Sequence, residues 1–240
     1  MKKLKKHIIN SINFYSVLIF AVTFVCVIIS SIIVENIASP TSNSDTPNIG
    51  YTIVIDAGHG GLDPGSIGYK TKVRESDINL IISKKLETAL KQAGISVVMT
   101  RKTEDGLYGL STINYKKRDM AKRKEIIEKI RPNMVISVHM NSYIKHNLRG
   151  AQAFYDKDSE ISMKLANAIQ EQFSTNLEAS SKSPSTGDYY MLKCTDSPSI
   201  IAECGFLSNE KDEALLLTNE YQDKIVSCIV RGVLSFLNIS

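Results

Sequence analysis

Three residues far apart in the chain carry side chains suited to a divalent cation. They are His59 in D-A-G-H-G-G-L-D-P-G, Glu75 in V-R-E-S-D and His139 in S-V-H-M-N-S. A fourth residue, Glu203, directly follows Ile200-Ile201-Ala202 and precedes Cys204-Gly205-Phe206. Two neutral imidazoles and one carboxylate leave a tetrahedral zinc ion one open position for water, which marks a catalytic rather than a structural site. Such an ion lowers the pKa of water toward neutrality and polarises a carbonyl oxygen. A second carboxylate near the water serves as general base and returns the proton to a leaving amine. Glu203 fits that role.

Each residue also has a plainer reading. The glycines around His59 permit tight turns near an ion, and a Gly-rich loop after a strand can cradle phosphate instead. No G-x-G-x-x-G or Gly-Lys-Ser/Thr pattern is present, however, and Asp56 and Asp63 would repel an anion. At a helix start Glu75 could simply complement the dipole, and His139, after an apolar run, could be a satisfied core histidine. Glu203 is harder to dismiss, because an unpartnered carboxylate in an apolar run is costly. The chain has no H-E-x-x-H, G-x-S-x-G or C-x-x-C, so other common routes to hydrolysis or structural zinc lack support.

The positioning elements alternate between strand and helix. Tyr51 to Asp56 is a β-branched run; Ser76 to Ala93 is helical, with Ile78, Ile81, Ile82, Leu86 and Leu90 on one face and Gly94 closing it; Ile95 to Thr100 is strand-like again. Ile113 to Ile130, Ser162 to Phe173 and Tyr221 to Leu237 read as further helices, and Met134 to Val138, Ala151 to Tyr155 and Ser199 to Cys204 as strands. The expected fold is α/β, one domain with a mostly parallel twisted sheet of about six strands and helices on both faces. Ligands bind at the carboxyl ends of such strands. His59 follows one strand, while His139 and Glu203 are expected to end two others, so the three can converge on one sheet edge.

The chain has 240 residues, enough for one folded unit and a short appendage. Its formal charge of +4 comes from 29 basic against 25 acidic residues, and Lys2, Lys3, Lys5 and Lys6 account for the whole excess. The body is therefore neutral and carries no nucleic-acid footprint. From Ile8 to Val34 no residue is charged, and this run exceeds the roughly 20 residues needed to cross a bilayer. Lysines before it and Glu35 and Asp45 after it place the amino terminus inside and the body outside. The expected organisation is a cytoplasmic basic segment (1–7), a transmembrane helix (8–34), a Ser/Thr/Asn/Pro-rich linker (35–50) and a catalytic body (51–240). A cleaved signal and a secreted body are the alternative, disfavoured by the length of the apolar run and the poor cleavage match near Ala38. Cys194, Cys204 and Cys228 read as buried free thiols; Cys194 and Cys204 could lie on neighbouring strands, with their pairing left open.

The strings I-D-A-G-H-G-G-L-D-P-G, R-E-S-D-I-N-L, S-V-H-M-N-S, G-A-Q-A-F-Y and I-A-E-C-G-F-L-S-N-E-K-D-E occur in a typical order and spacing. From about Tyr51 to Leu237 the chain resembles the zinc-dependent N-acetylmuramoyl-L-alanine amidases of the amidase-3 type. The resemblance implies cleavage of the amide joining the lactyl group of muramic acid to L-alanine in peptidoglycan. His59, Glu75 and His139 would ligate one Zn2+, and Glu203 would be the catalytic glutamate. An anchor with a bare catalytic domain most resembles the spore germination-specific CwlD subgroup, whose members help generate muramic-δ-lactam in spore cortex. The body would then work on the cell-wall side of the membrane or in the forespore intermembrane space. Some amidases of this type insert an autoinhibitory helix after the second histidine, and the short stretch from His139 to Gly150 has no room for one. An open site controlled by expression timing or an activating partner protein follows.

Other readings compete: a vegetative wall amidase in turnover or cell separation, a zinc carboxypeptidase on stem peptides, or a non-catalytic wall-binding module. Among smaller features, Arg74, Asn141 and Ser208 are candidates to orient ligands or substrate, and Tyr189 and Tyr190 read first as an ordinary strand entry and second as contacts for sugar or peptide. Lys116, Lys117, Arg118, Lys122, Arg123 and Lys124 form a basic helix, read first as a solvated face and second as a surface for anionic wall polymer or a partner.

Overall fold

In strand β1 (Thr52–Ala57) side chains alternate across the sheet, with Ile53, Ile55 and Ala57 in one buried cluster and Val54 in another. The same alternation holds in β3 (Met134–Asn141) and β6 (Ser199–Phe206), where Ile136, Val138, Ile200, Ala202 and Cys204 join the first cluster and Val135 the second. Strands buried on both faces read as continuous apolar runs, the mark of a covered parallel sheet. The computed structural model describes residues 49–180 and 183–239.

The sheet has six strands in the order β2-β1-β3-β6-β4-β5, with β2 spanning Ser96–Met99, β4 Gln152–Tyr155 and β5 Ser185–Thr186. The pairs β1/β2, β1/β3 and β3/β6 are parallel; β4 runs antiparallel to β6 and pairs in parallel with β5. Helices α1 (Glu75–Gln92), α3 (Glu160–Asn176) and α6 (Asn219–Phe236) supply the large cluster through Ile78, Ile82, Leu86, Leu90, Leu165, Ile169, Phe173, Ile225, Ile229 and Val233. Each such buried aliphatic side chain contributes about 1.5–3 kcal/mol. On the other face α2 (Tyr115–Ile130) and the one-turn α4 (Tyr190–Lys193) bring Ile127 and Met191 against Val54 and Val135. The short α5 (Glu210–Leu216) follows β6 and is capped by Asn209, whose side chain accepts from the backbone N–H groups of Lys211 and Asp212.

Several expectations need correcting. Ile81 is 45% exposed, because the buried stripe of α1 is centred on Ile82 and Leu86 and also takes in Asn79 and Ser83. Helix α2 starts at Tyr115 rather than Ile113, since Asn114 adopts a left-handed backbone (φ 53°). Arg123 is not on a solvated face but is fully buried among carboxylates. His139 and Glu203 lie within β3 and β6, which run on to Asn141 and Phe206, rather than at strand ends. Cys194 follows α4 and is not on a strand neighbouring Cys204; it, Cys204 and Cys228 are buried and free. The proposed segment 1–7 and helix 8–34, and nearly all of the linker 35–50, lie outside the described residues. Among the described residues no helix is long and apolar enough to cross a membrane.

Candidate functional site

At the end of β1 the chain turns sharply at Gly58, where a Cβ would come within 2.3 Å of the His139 ring, so only glycine lets the two elements approach. His59 follows with a positive φ of 60°. Buried cations hold this turn through its carbonyls. Arg101 donates to the Ala57 and Gly58 oxygens at 2.9 Å, and Arg123 to those of Ala57 and His59 at 2.7 and 2.6 Å. Arg123 is balanced by Asp56 and Asp119 at 2.5 Å each. Asp56 also accepts from Thr100 (2.7 Å) and Ser137 (2.6 Å). Burial alone would raise the Asp56 pKa, but Arg123 and the two hydroxyls bring it down to about 2.

Glu75 is the first residue of α1 and its carboxylate is buried. Its Oε1 lies 3.2 Å from Nε2 of His59 and 3.0 Å from Nδ1 of His139, and it accepts from the Met140 N–H at 3.1 Å. Its Oε2 accepts from the Ser66 N–H at 2.7 Å. Burial opposes ionisation here, but the hydrogen bonds and charge of His139 and His59 hold the carboxyl far below the usual range. On the far side of the His59 ring, Nδ1 meets Asp63 Oδ2 at 2.9 Å. Burial disfavours a charged His59, yet Glu75 and Asp63 outweigh it and raise its pKa to about 9. The His59 and His139 rings stand edge to face, with centroids 4.9 Å apart. His59, Glu75 and His139 each offer one ligand atom, all within 4.8 Å of one another, and could hold a metal ion. A carboxylate kept ionised between two imidazoles, one oriented by Asp63, is a donor set that fits a divalent cation.

Glu203 is the residue paired with His139 across the β3/β6 ladder. In-register neighbours project from the same face, so the ladder itself sets Glu203 beside the three donors. Its Oε2 is buried without a protein hydrogen-bond partner. Burial raises its pKa to about 7, with Glu75 adding to the rise and His139 and His59 opposing it. All four residues line one cleft of about 570 Å³, with Tyr108, Tyr115, Lys116, Asn141, Tyr189 and Tyr190 among its other walls.

The remaining sequence candidates fall in different places. Asn141 and Tyr190 line the cleft. Arg74 does not; it precedes α1 and donates to the Gly61 carbonyl, fastening the glycine-rich loop. Ser208 accepts from the Tyr143 N–H at 2.8 Å and so braces the loop after β3. Sequence reasoning missed Asp63 as a support for His59, and Arg101 and Arg123 as clasps on the turn. Asp119 and Arg123, four apart on α2, were the available sign of a buried pair.

Residues 53–235 match the family model described as N-acetylmuramoyl-L-alanine amidase. The chain is 32% identical to the germination-specific N-acetylmuramoyl-L-alanine amidase of Bacillus subtilis (strain 168), over 81% of this chain and 86% of that protein. Among solved structures it is similar to the CwlD amidase of Clostridioides difficile, determined in complex with the GerS lipoprotein. There the identity is 37% and the TM-score 0.75, covering 79% of this chain and all of that one. It is also similar to the catalytic domain of the amidase CwlV from Bacillus (Paenibacillus) polymyxa var. colistinus, at 28% identity and a TM-score of 0.69 over 79% of this chain and 99% of that one.

Proposed function

The chain belongs to the N-acetylmuramoyl-L-alanine amidase family, and from that premise we propose a zinc-dependent amidase of spore-cortex peptidoglycan, anchored by its amino terminus and controlled by a partner protein. It is a hydrolase of the amide between muramic acid and L-alanine. The observation that carries the mechanism is the convergence of three donors and one unpartnered carboxylate: His59, Glu75 and His139 within 4.8 Å, and Glu203 at the paired position beside His139.

In this reading His59, Glu75 and His139 would hold a zinc ion, and Asp63 fixes the His59 ring by accepting from Nδ1. An ion held there would supply Lewis acidity toward a carbonyl oxygen and a water. Glu203, paired with His139 across the ladder and with Oε2 free of any protein hydrogen bond, is placed for proton transfer. It takes a proton from the attacking water and delivers it to the alanine nitrogen as the C–N bond breaks. The result is a free lactyl carboxylate and a free amine. Asn141 and Tyr190 on the cleft wall orient the substrate.

The cortex assignment draws on the germination-specific relative and the CwlD structure. Partner control draws on the GerS complex of that relative and on the short stretch after His139. The anchor and the exported position of the body draw on the uncharged run from Ile8 to Val34. Muropeptide analysis of cortex and vegetative peptidoglycan digested by the zinc-loaded protein tests the proposal. Release of stem peptides by the wild type and a drop of at least about 100-fold in rate for Glu203→Gln is expected. Intact muramoyl-alanine linkages, or cuts within the stem peptide, would overturn it.

A further inference from the structure

The cleft walls are rich in carboxylates, and nearly all of them are accounted for. Asp56 and Asp119 are paired with Arg123, Glu75 lies between the two imidazoles, and Asp63 touches His59. Arg123, one of the lining cations, is buried and spent on Asp56, Asp119 and the carbonyls of Ala57 and His59. Lys116, at the start of α2, is different. Its side chain is 65% exposed, and its ammonium lies 3.3 Å from Asp63 Oδ1. Among the described residues lining the cleft, it is the lysine or arginine whose charge reaches solvent.

An ammonium has three donors, and the contact with Asp63 engages one. Asp63 in turn holds His59, so Lys116 stands one carboxylate and one imidazole away from the donor cluster. On the substrate, the residue after L-alanine is a glutamate linked through its side chain. Its α-carboxyl group is left free or amidated, about 6–7 Å from the scissile nitrogen by standard backbone dimensions. With the other lining cation, Arg123, already paired, the ammonium of Lys116 is the cation left to meet that carboxylate.

We infer that Lys116 reads the α-carboxylate of the second stem residue and gives the enzyme a preference for acid-form over amidated stems. This rests on the amidase reading and deepens it. The ammonium bridges Asp63 and the substrate carboxylate, so one charge serves both the support of His59 and substrate choice. Pairing in a half-exposed cleft favours the acid form by about fivefold, expressed in KM because the contact is the same before and during the reaction.

The test uses two synthetic muropeptides identical except for carboxylate or carboxamide at that position, with the zinc-loaded protein and the variants Lys116→Met and Lys116→Glu. Expected is a wild-type kcat/KM ratio of about five in favour of the acid form, near one in Lys116→Met and below one in Lys116→Glu, with zinc content retained. A wild-type ratio near one, or a ratio preserved in Lys116→Met because both substrates suffer equally, overturns the inference. Equal losses on both substrates would leave Lys116 with only its support of Asp63. Calorimetric affinity of Glu203→Gln for the same pair gives the decision without turnover. Failure of the wild type to cut either muropeptide would count against the amidase reading, while the affinity ratio would still decide the role of Lys116.

Discussion

Glu203 is an acid whose environment prefers it protonated. Its pKa rises from the ordinary 4.5 to about 7. Between those values the folded chain keeps a proton that the unfolded chain has lost, so stability falls as pH rises through this window. The full effect is about 3 kcal/mol. His59 acts in the same direction at higher pH: raised to about 9, it stabilises the metal-free fold fully below 6.5 and loses that contribution as pH climbs through 9. In chelator, Glu203→Gln should therefore melt above the wild type at pH 8 and close to it at pH 4. Equal differences at both pH values, read by calorimetry, would contradict a buried, reluctant carboxylate. Glu203 was conspicuous in the sequence because its apolar flanks leave it no ordinary task. Arg123 was hidden, because its partner Asp56 lies 67 positions away and its own stretch resembles a solvated basic helix.

At the level of elements, the site is a turn clasped between β1 and α2. Removing Arg123 leaves Asp56 without its cation in the interior and takes a donor from the His59 carbonyl, while Ala57 keeps the one from Arg101. Breaking a buried pair by taking one partner costs about 3–5 kcal/mol. Arg123→Met should lose that much in urea unfolding, and its zinc affinity by competition titration should fall by about 10-fold or more. Unchanged stability would show the clasp to be incidental. The long helices and central strands were legible because their periodicity runs over many residues. The two-residue β5 and the single turn of α4 are too short to carry any period. Strand ends were misplaced at His139 and Glu203 because polar residues there looked like exits, whereas they belong to the ladder and face the cleft.

For the molecule as a whole, cohesion lies in the large aliphatic cluster beneath the sheet, away from the donor residues. Cys194, Cys204 and Cys228 are free thiols, so among the described residues no cross-link constrains the unfolded chain. Binding of an ion to the folded state alone raises stability by mass action, about 4 kcal/mol at a thousandfold excess over its dissociation constant. Stripping zinc should thus lower Tm by several degrees while far-UV circular dichroism keeps its α/β signature. Collapse of that signature in chelator would mean that the metal, rather than the core, holds the fold.

The pairing of His139 with Glu203 also governs how this family can change in length. Strand side chains alternate by parity, so one residue inserted or deleted between the start of β6 and Glu203 would turn Glu203 to the opposite face, unless absorbed by an irregularity such as the one the ladder already holds just beyond His139. Glu203 would then point into the aliphatic cluster and Cys204 into the cleft. Loops such as residues 142–149 can gain or lose residues by degrees. The interval between the start of β6 and Glu203 lacks that freedom.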